Sequence, residues 1–269
     1  MSLQSTPILS DACFNDLRRL VHRLAGLALG GNKKNLVTSR LLRRLRECRL
    51  ASFEDYHDLL QAHPEEIHHF LDALSTNVTS FFREREHFDF LLEQFHDWRR
   101  QGQQRFRCWS AACSTGQEPY TMAMVLDEAI DASTDLRILA TDINRQVLQH
   151  AREGRYSAVE ISQIPTAYRH RFGGENRADE RLRSLISFQH LNLAHPPFPM
   201  QGPMDAIFCR NVLIYFDAAL RKRLVDEFRR LLRPDGLLIV GHAEGMANDV
   251  AGFATLRPSV YRWLGRSAT

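Results

Sequence analysis

Apolar positions along the chain recur at two different periods. In residues 35–49, Leu41 and Leu45 fall four apart with Leu42 beside them, while Arg40, Arg43, Arg44 and Arg46 take the other positions. That spacing predicts an amphipathic helix. Ser52 precedes Glu54 and Asp55 and then an apolar series of Tyr56, Leu59 and Leu60. This order predicts a capped helix with acids in its first turn. Pro64 before Glu65 and Glu66 predicts another helix start. Residues from about 10 to about 75 are therefore expected to form a small all-helical unit.

From about residue 105 the pattern changes to short aliphatic runs alternating with helical segments. Strands are predicted over 106–111, 136–140, 186–188, 206–209 and 237–240. Helices are predicted over 119–129, 146–152 and 218–232, the last ended by Pro234-Asp235-Gly236. Residues 253–264 read as a final edge strand or hairpin. Strands alternating with helices predict a mostly parallel sheet with helices on both faces. The alternation breaks down over 154–185, which holds Gly173-Gly174 and many charges and reads as an insertion.

Composition narrows the classes. The 269 residues are 44% hydrophobic and 25% charged, which excludes a disordered chain. Thirty-five basic residues against 32 acids leave a formal net charge of only +3, which argues against a global polyanion binder. Charge is uneven locally: residues 18–49 carry ten basic residues and one acid, and residues 50–72 carry six acids and no Lys or Arg. Five cysteines (Cys13, Cys48, Cys108, Cys113, Cys209) without a CxxC pair argue against a disulfide framework or a zinc site and suit a reducing cytoplasm. The opening lacks the basic and apolar regions of an export signal, and no apolar run approaches the ~18 residues that span a bilayer. His63, His68, His69 and His242 have no convincing metal-ligand spacing, so no metal is expected.

Ligands of open α/β sheets sit at the carboxyl ends of the strands, near the first strand-to-helix turn. Here that turn, Ser110-Ala111-Ala112-Cys113-Ser114-Thr115-Gly116-Gln117-Glu118-Pro119, has small residues and one glycine. The missing glycines count against a pyrophosphate cradle. Asp142 ends the second predicted strand, 26 positions after Gly116, where a carboxylate can accept from both hydroxyls of a ribose. Turn and carboxylate together point to an adenosine ligand without a pyrophosphate. S-adenosylmethionine (SAM) fits better than a dinucleotide.

Five blocks then occur in a fixed order. They are Thr76-Asn77-Val78-Thr79-Ser80-Phe81-Phe82-Arg83-Glu84, Cys113-Ser114-Thr115-Gly116-Gln117-Glu118-Pro119-Tyr120, Ala140-Thr141-Asp142-Ile143, Phe208-Cys209-Arg210-Asn211-Val212-Leu213-Ile214-Tyr215-Phe216 and Gly241-His242-Ala243-Glu244. Together they resemble the chemotaxis receptor methyltransferases, the CheR family, over nearly the whole chain. Gln117 stands where the family usually has a first Glu, Ala194 follows Asn192-Leu193 where a Leu is usual, and Ala243 replaces a Ser.

The resemblance implies a small N-terminal all-helical domain (1–75) that docks to the receptor. It implies a Rossmann-like α/β SAM-dependent methyltransferase domain (76–269), with a small β-subdomain inserted at about 155–190. It implies methylation of glutamate side chains on the cytoplasmic domain of membrane chemoreceptors, with S-adenosylhomocysteine as the product. By resemblance the SAM site comprises Asn77, Thr79, Arg83, Glu118, Asp142, Asn192, Leu193, Arg210 and Asn211. Arg83 and Tyr215 are candidates to position the substrate carboxylate. Arg40, Arg43, Arg44 and Arg46 are candidates to dock an acidic receptor helix. In some members the β-subdomain binds a tether peptide at the receptor's C-terminus.

The chemistry needs little more. A glutamate is already ionised near neutral pH, so methyl transfer requires alignment and exclusion of water rather than a base or a metal. An N/D-P-P-Y/F motif after the fourth strand, as in enzymes that methylate base amino groups, is absent at Arg210-Asn211-Val212-Leu213. No nucleic-acid partner and no membrane insertion are expected.

Overall fold

A computed structural model of the chain describes residues 7–245 and 251–265; the first six residues, read above as carrying no export signal, lie outside it. Four helices open the fold: α1 (Asp11–Ala25), α2 (Lys34–Cys48), α3 (Phe53–Ala62) and α4 (Glu66–Leu74). Their starts follow local chemistry. The Ser10 side chain accepts from Cys13 N–H at the head of α1, and Ser52 from Asp55 N–H at the head of α3. Helix α1 ends at Gly26, whose φ of 68° is a left-handed cap. The inward faces of these helices close over Phe14, Leu17, Leu41, Phe53, Tyr56 and Phe70 as a separate hydrophobic core.

The second unit begins with α5 (Glu86–Arg100), a helix the sequence reading did not single out. It is followed by β1 (Arg105–Ala111), α6 (Gln117–Asp127), β2 (Asp135–Asp142) and α7 (Arg145–Glu153). After three short helices, α8 (Ala158–Ser162), α9 (Thr166–Arg169) and α10 (Glu180–Leu185), the chain returns as β3 (Ile186–His190) and β4 (Met204–Cys209). Helix α11 (Ala218–Leu231), β5 (Leu232–Val240), β6 (Phe253–Arg257) and β7 (Val260–Trp263) complete it. The seven strands lie in the order β3-β2-β1-β4-β5-β7-β6. The first five run parallel and β7 is antiparallel to β5. The order reverses beside β1, so the carboxyl ends of β1, β2 and β4 open onto one crevice, where ligands of such sheets bind. The architecture is the expected Rossmann-like methyltransferase sheet behind a helical unit.

The insert differs from expectation. Residues 155–185 form no small β-subdomain: they hold α8, α9, α10 and a 3₁₀ turn at Gly174–Asn176. Two isolated antiparallel bridges, Arg155 with Arg177 and Phe172 with Ala178, are its β structure. The segment packs on aromatic contacts instead: Phe172 meets Phe81, Tyr120 and Tyr156 edge-on. Residues 186–190, the end of the expected insert, are β3 of the main sheet.

Candidate functional site

The crevice is a cleft walled by the strand ends and by the connection that precedes α5, where small-molecule sites of such sheets lie. Three parts of the chain wall it. The end of α1 and the turn after it give Ala25 and Leu27; the connection between the helical unit and α5 gives Ser75 to Ser80 and Arg83; the strand ends give Ala112, Cys113, Ser114, Glu118, Asp142, Leu193, Arg210 and Asn211. The helical unit is thus part of the wall. It is fastened there by Asn192 Nδ2 donating to Leu24 O at 2.7 Å and by Asn144 Nδ2 donating to Ser75 Oγ at 2.8 Å.

Backbone strain collects around the cleft. Phe82, Glu84, Ala112, Ser114 and Asn211 all have φ between 50° and 72°, a region that costs a non-glycine residue roughly 1–3 kcal/mol. The surroundings hold each turn in place. Ala112 N–H and Cys113 N–H both donate to Thr141 O at 2.8 Å. Glu244 Oε2 accepts from Asn211 N–H at 2.6 Å and from Gly241 N–H at 2.7 Å. A Cβ on Gly241 would stand 2.6 Å from Asn211 Nδ2, so only glycine lets the β5 end approach this turn. Gly241 and Glu244 therefore brace Asn211.

Asp142 closes β2 and is buried, 7% exposed as a residue. Oδ2 accepts from Ser114 N–H at 2.8 Å and Oδ1 from Asn144 N–H at 2.9 Å. Burial pushes its pKa up to about 6, against those backbone bonds. The bonds fix both oxygens in place at the strand end.

Arg210, 6% exposed at the end of β4, stands between two carboxylates. Nη1 donates to Glu118 Oε2 at 3.0 Å and Nη2 to Glu84 Oε2 at 3.0 Å. Ser110 Oγ donates to Glu118 Oε1 at 2.7 Å. Burial raises the Glu118 pKa even though Arg210 opposes it. Burial also pushes Glu84 upward, but Arg210 and Asn211 outweigh it and hold that carboxyl below its ordinary value. One guanidinium thus serves two carboxylates, Glu118 in the cleft wall and Glu84 behind it.

The family of the chain can now be stated. The SAM-binding domain of CheR methyltransferases matches residues 77–261, and the all-alpha CheR domain matches residues 12–75. The chain belongs to the CheR methyltransferase family. It is 42% identical to chemotaxis protein methyltransferase 2 of Pseudomonas aeruginosa over 87% of each chain. It is 39% identical to the chemotaxis protein methyltransferase of Salmonella typhimurium over 94% of this chain and 90% of that one. The Escherichia coli protein of the same name is 38% identical over 94% and 91%. The chain is accordingly a SAM-dependent methyltransferase of the chemotaxis class, acting on chemoreceptors.

All nine positions carried over for SAM, and Tyr215, line the CheR cleft. Arg83 Nη1 donates to Val78 O at 2.9 Å, which anchors its fork within the wall. The family departure at Gln117 has a local partner: its Nε2 donates to Glu160 Oε1 at 3.0 Å. A glutamate there would face a like charge. Residues the sequence reading passed over are Glu84, Ser114, Glu244 and the α1 end. Glu84 and Glu244 lay inside matched blocks, but nothing local says that they meet Arg210 and Asn211.

The four arginines of α2 lie apart from the cleft wall and require a correction. Arg44 is turned inward, where Nε and Nη2 donate to both oxygens of Glu66 at 2.9 and 2.7 Å. Tyr56 Oη donates to the same carboxylate at 2.8 Å. Arg40 Nη1 donates to Leu74 O at 2.6 Å and Ser75 O at 3.1 Å, tying α2 to the connection that walls the cleft. These two side chains are committed to the fold. Arg43 and Arg46 are exposed, Arg43 paired to Glu47 one turn on.

Proposed function

We propose that the cleft aligns SAM for methyl transfer to glutamate side chains of chemoreceptor helices, in the cytoplasm, giving methyl esters and S-adenosylhomocysteine. The observation that carries this reading is the charge balance around Arg210. Two carboxylates share one guanidinium, an excess of negative charge that suits the amino group of SAM, with Glu118 as its partner. Asp142 takes the ribose hydroxyls on oxygens already held by Ser114 and Asn144. Asn192 and Leu193 border the adenine end, and Asn77, Thr79 and Asn211 contribute polar groups along the wall.

The incoming glutamate is ionised and needs only alignment. Arg83 and Tyr215 position it, the guanidinium as a planar fork and the phenol as a single donor. Sulfonium and carboxylate charges disappear together in the transition state, so a walled cleft that excludes water favours the step over bulk solvent. The two-domain division follows the same reading, with residues 1–75 bringing the receptor to the mouth. Arg43 and Arg46 supply the salt-sensitive attraction to an acidic helix. A receptor tether, if used, would dock on residues 155–190, where β3 is an edge strand of the sheet.

Incubation with methyl-labelled SAM and receptor membranes, followed by base, tests the reading. Volatile labelled methanol is the expected outcome. Base-stable label would move the acceptor to nitrogen or another atom and overturn the glutamate assignment.

A further inference from the structure

Behind the cleft floor, on the side of Arg210 away from Glu118, the fold gathers two side chains from the start of α5 and one from the turn after β5. Glu84, His87 and His242 each bring a ligating atom within 4.8 Å of the other two. His87 is the anomaly. Its side chain is 2% exposed, and neither Nδ1 nor Nε2 has a hydrogen-bond partner. A buried imidazole with both nitrogens idle forfeits hydrogen bonds it would make in water. Its Nδ1 stands 3.4 Å from Glu84 Oε2, and its ring meets that of His242 edge-on at 5.0 Å. His242 is oriented from outside, because Glu86 Oε1 lies 2.7 Å from its Nε2. A carboxylate on one ring nitrogen leaves the other to ligate, the outer-shell arrangement of histidine metal ligands.

We propose that Glu84, His87 and His242 form a site for a divalent cation of the zinc class, and that its occupation opposes SAM binding. Two imidazoles and a carboxylate are the donor set such an ion takes, with water as the fourth ligand. Bonds of about 2.1 Å require ligand atoms about 3.4 Å apart. His242, half exposed, is free to swing in and close the difference. The coupling runs through Arg210. A cation on Glu84 competes with the guanidinium for that carboxylate. Arg210 then turns to Glu118 alone, and the excess negative charge there is neutralised. This coupling rests on the reading of Glu118 as the partner of the SAM amino group; the metal site does not. Linkage makes the antagonism reciprocal, so SAM also weakens the metal. The two histidines lie 155 positions apart, which is why sequence spacing gave no sign of them.

Cobalt titration of the full-length, chelator-treated protein tests the site directly. Expected is one equivalent bound with the visible absorption of four-coordinate cobalt, displaced by zinc and lost in both His242→Ala and His87→Gln. Calorimetry of SAM with saturating zinc should show affinity reduced about tenfold or more, and His242→Ala should remove that sensitivity while binding SAM normally without metal. Cobalt binding that survives His242→Ala, or that carries a thiolate charge-transfer band, overturns the site. An unchanged SAM affinity under zinc overturns the coupling. Failure of metal-free protein to bind SAM would instead sink the cofactor reading, leaving the cobalt result to stand by itself.

Discussion

Glu118 and Arg210 meet at 3.0 Å on the floor of the cleft, and Arg210 keeps its other amine on Glu84. Desolvating two carboxylates for one guanidinium is costly to the ligand-free fold. A cationic ligand relieves that cost, so stability is traded here for affinity. Glu118→Gln keeps the size and the acceptor oxygen but removes the excess charge. SAM affinity should fall roughly ten- to a hundredfold, about 1.4 kcal/mol per decade, and the ligand-free protein should lose no stability. Calorimetry and urea unfolding of the same variant check both halves. Unchanged SAM affinity would remove Glu118 from the site.

Asp142 makes the same trade with a pH signature. Its pKa rises from 3.8 to about 6 on folding, with burial the main cause. The folded state therefore binds the proton more tightly than the unfolded chain. That contribution to stability is full below about pH 3.8 and is lost as pH rises through about 6. Asp142→Asn does not titrate, so its stability relative to the parent should climb between pH 4 and pH 7. SAM binding should run the other way. The parent should bind more tightly as pH rises through about 6 and the carboxylate becomes a full acceptor, and Asp142→Asn should bind weakly throughout. Parallel denaturation and binding curves across that range decide it.

The α2 arginines should separate into two classes. Arg44→Ala leaves Glu66, 7% exposed, without its guanidinium. Breaking such a pair costs roughly 3 kcal/mol, visible as a lower denaturation midpoint. Arg43→Ala with Arg46→Ala should change stability by less than about 0.5 kcal/mol. The double variant should instead raise KM for receptor membranes at low salt and flatten the salt dependence. A KM equal to the parent's at every salt concentration would return α2 to a solvated face.

Gly26 tests the contact between the helical unit and the sheet. Its φ is 68°, and a Cβ there would stand 2.3 Å from Leu220 Cδ2 on α11. Gly26→Ala should cost about 1–3 kcal/mol through strain and overpacking. Its neighbours Ala25 and Leu27 wall the cleft, so SAM affinity should fall with it. A variant with parental SAM affinity and lowered stability would show that the wall tolerates the shift.

Much of this protein was legible in order along the chain. Periodicity placed the α2 helix and the β1, β2, β4 and β5 strands, because a sheet buried on both faces needs near-continuous aliphatic runs. Ser52 capped its helix as its position implied. Asp142 was found where a parallel strand ends, since topology alone brings that position to the crevice. Helix α5 was not among the predicted elements, although Phe88, Leu91, Phe95 and Trp98 are buried along it at helical spacing. The insert was misjudged because its turn and charges match either architecture, and only packing of Phe172 among Phe81, Tyr120 and Tyr156 selects the helical one.

The sequence by itself determined the class of the ligand, the order of the main strands and ten of the residues that wall the cleft. These rest on local spacing and on motif identity, which survive without coordinates. The tertiary structure decided the partners. It showed that Arg44 points inward and Arg43 outward, although both lie on one charged helix, because only Arg44 faces the buried Glu66 on α4. It set Arg210 between Glu84 and Glu118, and His87 beside His242, across separations of 126, 92 and 155 positions. Charge balance and ligation depend on distances through space, and those exist only once the sheet has brought its strand ends together.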